Sequence, residues 1–234
     1  MSMLTLAIET STKTAGIALL GDTEIIAEIF LNTGVHHSVV LLPAIENIFK
    51  VTQIKADQID LFACASGPGS FTGIRIGIST IKGLALATGK PVVGVSTLEA
   101  LAFNVIGSSS VVCPMLDARK KQIYAALYRT VRGDAFEKIV GERVAGVEDF
   151  LTCVGEETIF LGDGALKYSK MIKNILPGKA YFASGFQNHI RASAVALIGK
   201  RKYHEGDAVN PFTLTPVYLR ASEAEIARSI RESS

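Results

Sequence analysis

The chain has 234 residues, 48% of them apolar and 20% charged, with 24 Lys and Arg against 22 Asp and Glu. That composition excludes a disordered, collagen-like or coiled-coil chain, and the near-neutral balance gives no sign of a surface built wholesale for polyanions. Cys64, Cys113 and Cys153 lie far apart with no CxxC pair, which argues against a disulfide framework or a zinc knuckle and suits a reducing cytosol.

Residues 1–9 carry no basic leader, and no apolar run reaches the ~20 residues of a membrane helix, so the sequence predicts a cytoplasmic protein with no membrane partner. Leu4 to Ile8 reads as a strand, Glu9 to Thr14 as a polar turn and Ala15 to Leu20 as a second strand; Gly21-Asp22 then turns into a third, Ile25 to Leu31. Ser38 to Lys50 has helical spacing, and Ile59 to Ala65 is a strand. Gly67-Pro68-Gly69-Ser70 breaks the chain before a second helix, Phe71 to Ala87. Lys90-Pro91 restarts it as strand Val92 to Val95, with a short helix over Thr97 to Val105. The order βββαβαβα makes the class α/β, with the last two strands parallel through a helical crossover.

Gly107-Ser108-Ser109-Ser110 is the linker candidate, dividing an N-terminal lobe, 1–106, from a C-terminal lobe, 111–234. The second lobe opens with a strand pair, Val111 to Asp117 and Gln122 to Tyr128, then Glu137 to Val140 and a helix near Val147 to Cys153. Strand Thr158 to Leu161, the turn Gly162-Asp163-Gly164, a helix from Ala165 and a helical stretch over Ile190 to Tyr203 complete it, with no fixed-period repeat.

The two long helices are poor in charge. Glu46 is the only charge between Ser38 and Phe49, and Arg75 and Lys82 are the only ones between Phe71 and Thr88. A surface helix normally carries a solvated polar face. Here Leu41, Ile45 and Ile48 form one apolar line, with Val39, Leu42 and Phe49 beside it. On the second helix Ile74, Ile78, Ile81 and Ala85 lie on one side, and Gly73 and Gly77, four apart, allow close backbone approach on another. The surplus predicts an association surface of roughly 1,600 Å² in total, unless the second lobe covers both helices. Its expected contact residues are Leu41, Ile45, Ile48, Phe49, Ile74, Gly77, Ile78 and Ile81.

Chemistry is harder to find. Glu9-Thr10-Ser11-Thr12-Lys13 sets an acid and three hydroxyls after a strand, yet has none of the glycine by which a phosphate loop closes on its anion. Gly67-Pro68-Gly69-Ser70 leads into a helix N-terminus but matches neither GxxxxGK[ST] nor GxGxxG. His36 and His37 are adjacent, His189 and His204 are remote, and no HExxH occurs, so spacing builds no metal site. Asp117-Ala118-Arg119-Lys120-Lys121 is a charged turn in which Arg119 could meet a phosphate. No Ser/His/Asp or Cys/His pairing stands out, so no residue is assigned as catalytic, cofactor-binding or metal-binding.

Leu6-Ala7-Ile8-Glu9-Thr10-Ser11-Thr12, the run from Ser66 to Gly77 (SGPGSFTGIRIG), Asp117-Ala118-Arg119 with Tyr124 to Tyr128, and the ending Pro216 to Arg220 with Glu223-Ala224-Glu225 together resemble the TsaB (YeaZ) family. The resemblance implies an actin/Hsp70-like, ribonuclease H-like fold of two related lobes with mixed central sheets, and a part in forming N6-threonylcarbamoyladenosine at position 37 of tRNAs. It implies a non-catalytic paralogue of TsaD, the subunit that binds metal and nucleotide and transfers the threonylcarbamoyl group. That paralogue carries an HxxxH pair whose matching positions here are Thr97 and Leu101, and leucine has no lone pair to give a metal.

The resemblance further implies that the two low-charge helices pair with a TsaD-type subunit, or with a second copy of the chain when that subunit is absent. A TsaE-type ATPase would join the pair, with ATP or ADP and metal on the partner subunits, none held tightly by this chain alone, and tRNA met through the complex. Two other classes stay open from the residues: an ATP-binding phosphotransferase or ATPase with Glu9 or Asp117 on magnesium, and a metallopeptidase.

Overall fold

A computed structural model describes residues 3–22, 24–131 and 135–220. The part of the second lobe beyond 220, with Glu223-Ala224-Glu225, lies outside the described residues. Strands β1 (Thr5–Glu9), β2 (Ala15–Leu20), β3 (Ile25–Leu31), β4 (Leu61–Gly67) and β5 (Val92–Ser96) form a sheet in the order β3-β2-β1-β4-β5. The first three strands run antiparallel as a meander, while β4 and β5 continue from β1 in parallel. Helices α1 (His37–Thr52), α2 (Phe71–Thr88) and α3 (Thr97–Ala102) follow β3, β4 and β5. Left-handed residues end the two long ones, Gln53 after α1 and Gly89 after α2.

The second sheet repeats the first. Strands β6 (Val111–Arg119), β7 (Gln122–Thr130), β8 (Phe136–Gly146), β9 (Thr158–Leu161) and β10 (Ala180–Phe182) lie in the order β10-β9-β6-β7-β8, again a meander extended by two parallel strands. Helices α4 (Val147–Leu151), α5 (Asp163–Lys167) and α6 (Ser169–Ile175) accompany it, and α7 (Ala192–His204) is the last helix among the described residues. This is the expected α/β class, with two mixed five-stranded sheets. The single helix expected from Ala165 begins two residues earlier and breaks at Tyr168 into α5 and α6.

Alternation along the strands explains the layering. Leu6, Ile8, Ile17 and Leu19 face α1 and α2, where Leu41, Ile45, Ile48, Ile74, Ile78 and Ile81 meet them. Ala7, Ala63 and Ala65 face the other way, toward Ala194, Val195 and Ile198 of α7 and Leu98 and Leu101 of α3. The same core continues into Val112, Leu116, Ala126 and Tyr128 of the second sheet. Val111, Cys113 and Met115 face a third core with Phe150 and Ile172. Alanines toward α7 let that helix come close; a Cβ on Gly199 would overlap Ala63.

After α7, residues 205–220 run back across the first lobe as a strap. Val209 bridges Val92, Leu214 is buried in the first core, and Val217 N donates to Ser66 O at 2.8 Å. Lys82 Nζ donates to the carbonyls of Phe212 and Leu214 at 3.3 and 2.9 Å.

Candidate functional site

The turn between β1 and β2 is clamped onto the start of α2. Thr10 Oγ1 donates to Gly73 O at 2.8 Å, Ser70 N to Ser11 O at 2.7 Å, and His37 Nε2 to Thr12 O at 2.8 Å. Ser70 caps α2 by accepting from Gly73 N at 3.2 Å. Gly69, Gly73 and Gly77 make the fit: a Cβ on any of them would overlap Ser11 O, Thr10 O or Thr10 Oγ1. Two amides at the helix start are therefore engaged by the chain's own oxygens, at the end where an anion would otherwise sit.

Glu9, at the end of β1, is fully buried. Its Oε1 accepts from Ser11 N at 2.6 Å and from Ser11 Oγ, while Oε2 is buried without a partner. Burial pushes the carboxyl up to about 7, against the opposing pull of the Ser11 bonds. A carboxylate serving magnesium needs an open, ionised face, whereas Glu9 is fully buried and its burial opposes ionisation. Asp117 has both oxygens engaged, Oδ2 with Lys167 Nζ at 2.7 Å and Oδ1 with Arg119 N at 3.1 Å. Among the described residues no three His, Cys, Asp or Glu side chains gather as metal ligands.

Thr97 and Leu101 sit one turn apart on α3, both fully buried. Leu101 belongs to the core between the sheets, and Thr97 Oγ1 has no partner. Leu101 has no donor atom for a metal, and the Thr97 hydroxyl is buried within the core. Cys64 and Cys113 are buried thiols whose ionisation burial opposes, Cys64 being pushed up to about 12.

The long helices require a correction. Leu41, Ile45, Ile48, Ile74, Gly77, Ile78 and Ile81 are all buried against their own sheet, and Phe49 is half-buried at its edge. Leu41 nonetheless lines the groove between the two helices, while the other six do not. The exposed apolar residues are others: Val39 at 61% and Leu42 at 55% on one side of α1, Val51 at 65% on the side opposite Leu42, and Leu86 at 46% on α2. Between the helices lies an open groove of about 460 Å³, bordered by Ser38, Leu42, Thr72, Ile76 and Thr80.

Arg75 stands on this groove and carries its charge alone. Its Nε donates to Tyr218 Oη at 2.9 Å, and the guanidinium lies 4.3 Å above the Phe71 ring. Phe71 and Tyr218 stack with centroids 4.0 Å apart. Among the described residues no carboxylate pairs with Arg75. Sequence reasoning missed Tyr218 as its holder, since 143 residues separate the two.

Comparisons with known proteins agree with this architecture. A family model described as "TsaD: tRNA N6-adenosine threonylcarbamoyltransferase" matches residues 24–233. The tRNA threonylcarbamoyladenosine biosynthesis protein TsaB of Bacillus subtilis is 34% identical over 95% of this chain and 96% of its own. TsaB of Haemophilus influenzae is 29% identical over 92% of each chain. YeaZ from Pseudomonas aeruginosa superposes with a TM-score of 0.79 at 25% identity, covering 93% of this chain and 100% of that one. With this identity running through nearly the whole of both chains, the chain belongs to the TsaB family of tRNA threonylcarbamoyladenosine biosynthesis proteins.

Proposed function

We propose that this chain acts in tRNA threonylcarbamoyladenosine biosynthesis as a subunit without an active site of its own, supporting a TsaD-type catalytic subunit by docking the outer faces of α1 and α2. The observation carrying this reading is the exposed pair Val39 and Leu42 on α1, with Leu42 on the rim of the Arg75 groove, on helices whose inner faces already satisfy the core. An exposed apolar surface beside a single held guanidinium suits a partner with an apolar helix face and one carboxylate. Three features speak against chemistry in this chain: the sealed Glu9, the clamped turn, and the buried Thr97 and Leu101. Docking that favours one conformation of the catalytic subunit raises its active population; each tenfold preference is worth about 1.4 kcal/mol.

The same surface would seat a second copy of the chain when the partner is absent, and a TsaE-type ATPase would join the pair. The test mixes the full chain with a TsaD-type subunit, the other pathway components and tRNA, and measures modified adenosine. Omission of the chain is expected to abolish product, and Leu42→Glu to lower product and weaken co-elution at least about tenfold while leaving the chain folded. Undiminished product without the chain refutes the role. Magnesium-dependent ATP turnover by the pure chain would refute the absence of its own chemistry.

A further inference from the structure

The hairpin joining β6 to β7 turns through Arg119, Lys120 and Lys121, with φ of 61°, 51° and 60°, all three exposed. A residue with a Cβ resists that left-handed backbone, and tight hairpin tips normally meet it with Gly, Asn or Asp. Three long cations occupy it here in succession. A turn needing only its shape is better served by glycine, so strain held at these positions marks a use for the side chains.

Among the described residues, Asp117 and Asp163 near the tip are already committed. Asp117 binds Lys167 and the Arg119 amide, and Asp163 Oδ1 accepts from Asp117 N at 3.0 Å. Arg220, at the end of the strap, adds a guanidinium whose Nη1 donates to Ala118 O at 3.1 Å. Among the described residues neither Arg119 nor Lys121 has a carboxylate partner. The tip is thus a local positive point on a chain whose net charge is only +2.

The geometry points to an RNA-backbone contact: Arg119 and Lys121, with Arg220 beside them, grip phosphates of the tRNA. This rests on the proposed role in tRNA modification, whose substrate is a polyanion. Flexible cations on a rigid turn suit phosphates, which position a substrate without reading its sequence.

The test uses the full chain with a TsaD-type subunit, titrated with tRNA over a range of salt. Arg119→Asn with Lys121→Gly places residues that accept positive φ; Arg119→Gln with Lys121→Gln keeps the strain and removes the charge. Both double variants are expected to bind tRNA at least tenfold more weakly at about 50 mM salt, with a salt slope shallower by roughly one to two. The first should also melt at an equal or higher temperature than the parent, a combination that a merely structural tip would not produce. Unchanged affinity and slope in the Gln variant overturn the inference. So does weaker tRNA binding that merely tracks loss of co-sedimentation between the two proteins, which would make the tip a protein contact. If the parent chain fails to co-sediment with the TsaD-type subunit, the docking proposal fails. The same variants titrated with tRNA as single chains then decide the tip, and slopes equal to the parent's refute it.

Discussion

Glu9 predicts an unusual pH dependence of stability. Its carboxyl is fully buried, hydrogen-bonded only through Oε1, and pushed from the ordinary 4.5 up to about 7. Between those values the folded chain holds this proton while the unfolded chain has released it. More protons on the native state means that stability falls as pH rises, by about 1.4 kcal/mol per unit from this group. The stabilisation relative to an ionised Glu9 is full below pH 4.5, is lost through pH 7, and totals about 3 kcal/mol. Glu9→Gln keeps the Oε1 acceptor for Ser11 and cannot ionise. Urea unfolding of parent and variant at pH 5, 6, 7 and 8 isolates the term, because other titrating groups cancel in the difference. The variant is expected to exceed the parent by less than about 1 kcal/mol at pH 5 and by about 3 kcal/mol at pH 8. Parallel stability profiles across that range would show that Glu9 ionises freely and that the reasoning is wrong.

Other substitutions separate the inner and outer faces of the helices. Ile45→Glu buries an unpaired charge and should destabilise the chain by at least about 3 kcal/mol in denaturant titration. Leu42→Glu, one face away, should leave stability within about 0.5 kcal/mol while weakening co-elution with the TsaD-type subunit at least about tenfold. Gly73→Ala drives a Cβ into Thr10 O and should lower stability by about 2 kcal/mol or more, read by the same titration. Thr97→Val removes a buried hydroxyl that has no partner and should raise stability by about 1 kcal/mol, seen as a higher melting temperature.

Much of the fold was legible because its strands are bounded by strong breakers. The meander, both long helices and the parallel pair from β4 to β5 fall within two residues of expectation. Orientation was not legible. Val39 and Leu42 are as apolar as Leu41 and Ile45, and periodicity identifies stripes without saying which one the sheet takes. The duplication came only through the family resemblance and not from a repeat in the residues, since a strand's burial can be met by Thr5-Leu6-Ala7-Ile8 or by Val111-Val112-Cys113 with no shared residue. Strand β8 extends to Gly146 although Gly141, Glu142 and Arg143 interrupt its apolar pattern, because one face of it is solvated. Strand β10 spans only Ala180–Phe182, too short for any alternation to register. The empty search for a catalytic constellation left the β1–β2 turn open as a ligand site; only contacts made far along the chain reveal how it is held.

The returning strap sets a timetable for the protein's birth. Tyr218 meets Arg75 across 143 residues, and α7 covers strands that leave the ribosome long before it does. Until then Ala7, Ala63 and Val93 have one side bare, so the early lobe emerges unfinished and should call on chaperones during synthesis. The strap acts as the stitch that closes it.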